Sequence, residues 1–173
     1  LKYIFHFCVK FIRPITSAFF YNLFKHTFSK NDSWNRFKQL PLEQFADVIN
    51  AYPYKSDPLW GALDYTIEDP RHYFCLSNHT NPLFGADCDD TAETWLLWAK
   101  ENNISGFKLY ICDGWRIWNS HVTCVLEMEG RYLLCDYGFT KVFNSIEDIV
   151  RFLKHEYNYH DNILNVIGEN NGK

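Results

Sequence analysis

The sequence holds no CxxC pair and no HxxxH pair, so the short ligand spacings of a structural zinc site are missing. Its six cysteines, Cys8, Cys75, Cys88, Cys112, Cys124 and Cys135, also lack the close, repeated spacings of a disulfide-stapled mini-domain. A chain of 173 residues is long enough to build a core without such staples. Reduced thiols in a cytosol-like, intracellular compartment are therefore expected. No uncharged apolar run approaches the ~20 residues of a membrane span, because Lys2, His6, Lys10, Arg13, Pro14 and Lys25 interrupt the apolar stretch over residues 1–28. That stretch also shows neither the short unbroken apolar core nor the small-residue cleavage site of a signal peptide. Internal repeats, low-complexity segments and EF-hand spacing are absent too, so solenoids and calcium loops are set aside. The expectation is no metal and no cofactor.

What is present is a packed globule. Hydrophobic residues make up 47%, aromatics 18% and charged residues 22%, which suits one domain with a sizeable core. The net charge of −4 conceals an uneven distribution. Residues 1–38 carry seven Lys/Arg against the single acid Asp32, and the remainder carries ten bases against twenty acids. An acidic body argues against an electrostatic grip on nucleic acid. The basic head reads as an amphipathic helix, either packed on the domain or presented to a membrane surface or partner. The organisation expected is this N-terminal helical segment over 1–38, a main domain over 39–167 and a frayed tail over 168–173.

Periodicity marks the elements. Pro41 at a first helical position, followed by apolar residues at helical spacing, predicts a short helix over 41–49. From residue 52 to 86 the chain holds four prolines and two glycines, which predicts a long irregular wall. The clearest helix spans 89–102: Ala92, Trp95, Leu96 and Ala99 share one face, and Asp89, Asp90 and Glu93 occupy the first turn, where the helix dipole favours acids. Strands are predicted over 107–112, 121–128 and 131–136, the last two joined by the tight turn Glu129-Gly130. A final amphipathic helix over 145–155 starts with Ser145 as N-cap.

Cys88 thus sits at a helix N-terminus, where unpaired N–H groups and the dipole stabilise a thiolate. Asp87, Asp89 and Asp90 oppose that effect, so an activated thiol needs a histidine at hydrogen-bond distance. The hairpin ranks the histidines. With Glu129-Gly130 as the turn, Asp136 lies opposite Thr123 and on the same sheet face as His121, two residues away along the diagonal. That spacing lets the carboxylate hydrogen-bond the imidazole and orient it. A loop of odd length would send one of the two to the other face.

Three segments carry a resemblance: Gly85-Ala86-Asp87-Cys88-Asp89-Asp90-Thr91-Ala92, Ser120-His121-Val122-Thr123-Cys124-Val125, and Tyr132-Leu133-Leu134-Cys135-Asp136-Tyr137-Gly138. A Cys opening a helix, a His opening a strand and an Asp ending the next strand resemble the transglutaminase-like superfamily, in particular its compact bacterial and phage cysteine peptidases. The resemblance covers about residues 50–140. It implies an α+β fold with a papain/transglutaminase-like core, in which the nucleophile helix packs on an antiparallel sheet. It also implies an amide-hydrolysing or acyl-transferring activity on a protein or peptide substrate. Cys88 would attack the amide carbon, His121 would carry the proton to the leaving amine, and Asp136 would fix the imidazole. A catalytically silent binding protein using the same cleft is the alternative. Tyr137 stands where many members of the superfamily have Pro.

The Cys88 backbone N–H is one expected oxyanion donor, with Trp60, Asn78 or Asn81 as candidates for the other. Trp115 and Trp118, in the expected loop 113–120 before His121, are candidates to line the substrate cleft. Trp95 and Cys75, Cys112, Cys124 and Cys135 read as core.

Overall fold

The computed structural model describes residues 34–52, 87–113, 116–157 and 167–170, together with the helical residues Ile15, Phe19, Asn22 and Leu23. Side chains at 112–113, 116–120 and 167–170 are not among those described. In chain order the elements are α1 (Trp34–Phe37), α2 (Leu42–Asn50), α3 (Cys88–Glu101), β1 (Ser105–Asp113), β2 (Arg116–Met128), β3 (Arg131–Asp136), β4 (Phe139–Phe143), α4 (Ile146–Glu156) and β5 (Ile167–Asn170). The five strands form an antiparallel sheet in the order β4-β3-β2-β1-β5. The architecture is α+β, with helices on both faces of the sheet.

Local chemistry explains the central elements. Glu129 and Gly130 both take positive φ, 51° and 75°, as a two-residue turn matched to strand twist requires. Met128 therefore pairs with Arg131 and Cys124 with Cys135, the register expected from the sequence. Helix α3 is capped by Asp87, whose side chain accepts from the Asp89 N–H at 3.3 Å, while the Asp90 carboxylate accepts from the Asp87 N–H at 3.4 Å. Helix α4 is capped by Ser145, whose hydroxyl oxygen accepts from the Asp148 N–H at 3.1 Å.

Side chains alternate across the strands and so sort into two cores. On one face Tyr110, Val122, Cys124, Leu126, Leu133 and Cys135 pack against α1, α2 and α3. There Phe45 of α2 stacks on Trp98 at 5.3 Å and meets Trp95 edge-on at 4.9 Å, both from α3. The buried Trp98 indole donates to the Leu40 carbonyl at 3.2 Å, tying the segment before α2 to α3. On the other face Phe107, Leu109, Ile111, Val125 and Leu134 receive Ile149 and Leu153 of α4.

Several expectations are corrected. The expected loop 113–120 is shorter, because β2 begins at Arg116, paired with Asp113 of β1 across an irregularity after Ile111. Strands β4 and β5 were not foreseen. Residues 168–170, expected to fray, belong to β5 and pair with 107–109 of β1. Trp34 starts α1, and both Trp34 and Phe37 are buried. No helix among the described residues is long and apolar enough to cross a membrane.

Candidate active site

His121 and Asp136 meet as the hairpin register requires. His121 Nε2 lies 2.7 Å from Asp136 Oδ1, and both residues are buried, at 5% and 8% exposure. Bonding through Nε2 leaves Nδ1 as the ring nitrogen that can serve a second group. Two tyrosines lie near the ring, with centroids 4.6 Å away for Tyr157 and 5.8 Å for Tyr137. Tyr157, the residue that ends α4, donates its hydroxyl to Asp136 Oδ2 at 2.6 Å. Each carboxylate oxygen thus has a partner. The sequence offered no signal for Tyr157, because its contact needs α4 laid across the sheet.

Tyr137 takes a left-handed φ of 52°, a conformation costly for a residue with a Cβ. Its carbonyl accepts from the buried Trp95 indole of α3 at 2.7 Å. The next residue, Gly138, lies against Ala46 and Asn50 of α2 closely enough that a Cβ there would sit 2.9 Å from the Ala46 carbonyl oxygen and 2.8 Å from the Asn50 Cα. Two helices therefore hold the turn that follows Asp136.

Cys88 is the first residue of α3 and is half-buried against the core shared by α1, α2 and α3. The flanking aspartates are not solvated, as a cluster of charges would suggest: Asp89 and Asp90 are buried in the first turn. Asp87, Cys88 and Asp89 bring ligand-type atoms within 4.8 Å of one another, and the Asp87 carboxylate among them also caps α3.

The two halves of the expected triad occupy opposite faces of the sheet. Val122 and Cys124 point toward α3, so His121, one position off in the alternation, points toward α4, as does Asp136 beside Cys135. Along the strands, however, thiol and imidazole lie at the same end. Lys108 bonds Glu93 and Gly106 approaches Leu96, so α3 runs antiparallel to β1, and its N-terminus lies toward Ile111, the residue paired with His121. The structure brings His121 and Asp136 together and sets Cys88 across the sheet's end from them.

Two further thiols among the described residues differ in character from Cys88. Cys124 and Cys135 are register partners, free and buried. Burial pushes both thiols well above the ordinary range, helped at Cys124 by Cys135 and at Cys135 by the Asp136 carboxylate. Lys108 is also buried. Burial disfavours its charge, yet Glu93 at 2.8 Å, with Tyr110 and Asp89, outweighs that effect and holds the ammonium above the usual lysine range.

Trp60, Asn78, Asn81 and Trp115 lie outside the described residues, and Trp118 belongs to β2 with a side chain that is not among those described. Trp95 and Trp98 are core. Compared with protein-family models, curated proteins and solved structures, the chain matches none.

Proposed function

We propose that this chain is a thiol-dependent amide hydrolase or acyltransferase with a papain/transglutaminase-like core, in which Cys88 is the nucleophile, His121 the base and Asp136 the acid that orients it. The observation that carries the reading is the buried 2.7 Å bond from His121 Nε2 to Asp136 Oδ1. It fixes the imidazole and leaves Nδ1 as the nitrogen that the reading assigns to the Cys88 thiol, which would have to reach it around the end of the sheet where α3 begins. In the reaction, Nδ1 takes the Cys88 proton as Sγ attacks the amide carbon, then gives that proton to the departing amine. Water or a second amine next attacks the thioester carbon, loses its own proton to Nδ1 and releases the thiol. The helix N-terminus supplies the Cys88 N–H to the developing oxyanion.

The partners in this reading are a protein or peptide substrate and, for the basic N-terminal segment, a membrane surface. Ile15, Phe19 and Leu23 recur at i, i+4 and i+8 with 71%, 63% and 56% exposure, an apolar face on a segment rich in Lys and Arg. Vesicle co-sedimentation tests this last element, and failure to pellet with anionic lipid removes it. A reducing, intracellular setting, as in a bacterial or phage protein, accords with Cys124 and Cys135 remaining free while they face each other across strands.

The second reading, a silent binding protein on the same scaffold, is favoured by one observation: the thiol and the imidazole project from opposite sides of the sheet. Iodoacetamide labelling of native protein across pH, read by peptide mass spectrometry, separates the two. The enzyme requires Cys88 to label at a pH well below that of an ordinary thiol, with the advantage lost in His121→Ala and reduced in Asp136→Asn. Labelling of Cys88 that is slow and indifferent to His121 assigns the chain to the silent class.

A further inference from the structure

The triad reading gives no role to one polar atom of the His121–Asp136 pair, the second oxygen of the carboxylate. In the structure that oxygen is engaged. Helix α4 is anchored by Ile149 and Leu153, and the residue capping its C-terminus, Tyr157, stands over the pair. Its hydroxyl donates to Asp136 Oδ2 at 2.6 Å, and its ring lies 4.6 Å from the imidazole.

We propose that Tyr157 is a positioning residue of this site, whose hydroxyl locks the Asp136 carboxylate in the one rotation that presents Oδ1 to His121 Nε2. The inference rests on the proposed thiol chemistry for its consequence, and on geometry alone for its structural content. A carboxylate held on one oxygen only can rotate about its Cβ–Cγ bond and exchange its partner for water. Anchoring Oδ2 removes that freedom, and a charge-assisted O–H···O⁻ bond at this distance is among the stronger ones available to a side chain. The ring adds a second effect. Sitting against the imidazole on the α4 side, it excludes water from the Nε2···Oδ1 bond, which strengthens it. Tyr157 acts on His121 by holding Asp136 and by packing on the imidazole ring, so its role is positioning rather than catalysis.

The test compares the full chain with its Tyr157→Phe, Tyr157→Ala and Asp136→Asn variants by two readouts. The first is the downfield ring N–H proton of His121 in the NMR spectrum, a signature of an imidazole donating to a carboxylate in a dry site. The second is the rate of Cys88 alkylation. Phe keeps the ring and loses only the hydroxyl. The expected result is an upfield-shifted, faster-exchanging N–H signal in Tyr157→Phe, near loss of the signal in Tyr157→Ala, and none in Asp136→Asn. Alkylation is expected to fall about 10-fold in Tyr157→Phe, the weaker end of what a hydrogen bond to a charged acceptor contributes. A Phe variant identical to the parent in its N–H signal overturns the proposal, and so does the absence of any protected His121 N–H in the parent. A shifted N–H signal combined with a Cys88 that is inert in every form upholds the positioning role and removes the thiol-enzyme reading.

Discussion

The Trp95 indole donates to the Tyr137 carbonyl at 2.7 Å, joining the middle of α3 to the turn that directly follows Asp136. The residues are 42 positions apart in sequence, and the bond spans from the helix that opens with Cys88 to the turn adjoining Asp136. It is a path by which the two faces of the sheet share one geometry: α3 lies on one side, Asp136 points to the other, and the turn between them is fixed by both.

Gly138 is the tightest point of that arrangement. A methyl group there meets the main chain of α2, at the Asn50 Cα and the Ala46 carbonyl, rather than the far end of a flexible side chain. Gly138→Ala is expected to cost about 1 to 3 kcal/mol, the range of overpacking in a tight contact. The shifted turn should also weaken the His121–Asp136 pair. Urea unfolding measures the first effect and the His121 N–H signal the second; an unchanged urea midpoint would show that α2 moves aside freely.

At the other end of β3, Glu129 holds φ at 51° in an exposed turn where no packing demands glutamate. Glu129→Asn places a residue that tolerates this conformation beside Gly130, and a gain of about 0.5 to 1 kcal/mol is expected. Thermal denaturation checks it, and a lower melting temperature would contradict the turn assignment.

The ion pair of the half-buried Glu93 with the buried Lys108, 2.8 Å apart, gives a larger effect. Glu93→Gln leaves an ammonium buried without its counter-charge, for a loss of about 3 kcal/mol. Adding Lys108→Met to that variant should return most of the stability, since an apolar side chain of similar length then fills the site. A double variant no better than the single one would mean that the loss arises from packing rather than from charge.

Stability should also fall at alkaline pH. Burial holds the Cys124 and Cys135 thiols protonated in the native chain, whereas in the unfolded chain they ionise near pH ~8.5. Because the folded values are the raised ones, the contribution is complete below that pH and is lost as pH rises above it, at up to about 1.4 kcal/mol per pH unit per thiol. The Lys108 contribution, raised in the same sense, persists to higher pH. Urea midpoints measured from about pH 8 to about pH 10 should decline in the parent and decline less steeply in Cys135→Ala; parallel declines would exclude the thiols as the cause.

Much of the site's geometry was legible in the sequence. The pairing of His121 with Asp136 follows from a two-residue turn and the two-residue period of strands, both local properties of residues 121–136. The same holds for Cys88 at the start of α3 and for Ser145 at the start of α4, where short-range capping decides the boundary. Strand β4 was not legible, because Phe139, Lys141 and Val142 alternate poorly on an exposed sheet edge, and β5 forms only where β1 offers its open side.

The sequence by itself determined which side chains of the hairpin share a face, since that depends on backbone period and turn length alone. Tertiary structure decided which helix covers which face. Helices α3 and α4 each carry an apolar stripe that could lie on either side of the sheet, and only the packing of Trp95 and Trp98 with Phe45, against Ile149 and Leu153 under Phe107 and Val125, assigns them. That choice put Tyr157 on the His121–Asp136 pair and Cys88 on the opposite face, because no local rule of strand or helix specifies the order of layers.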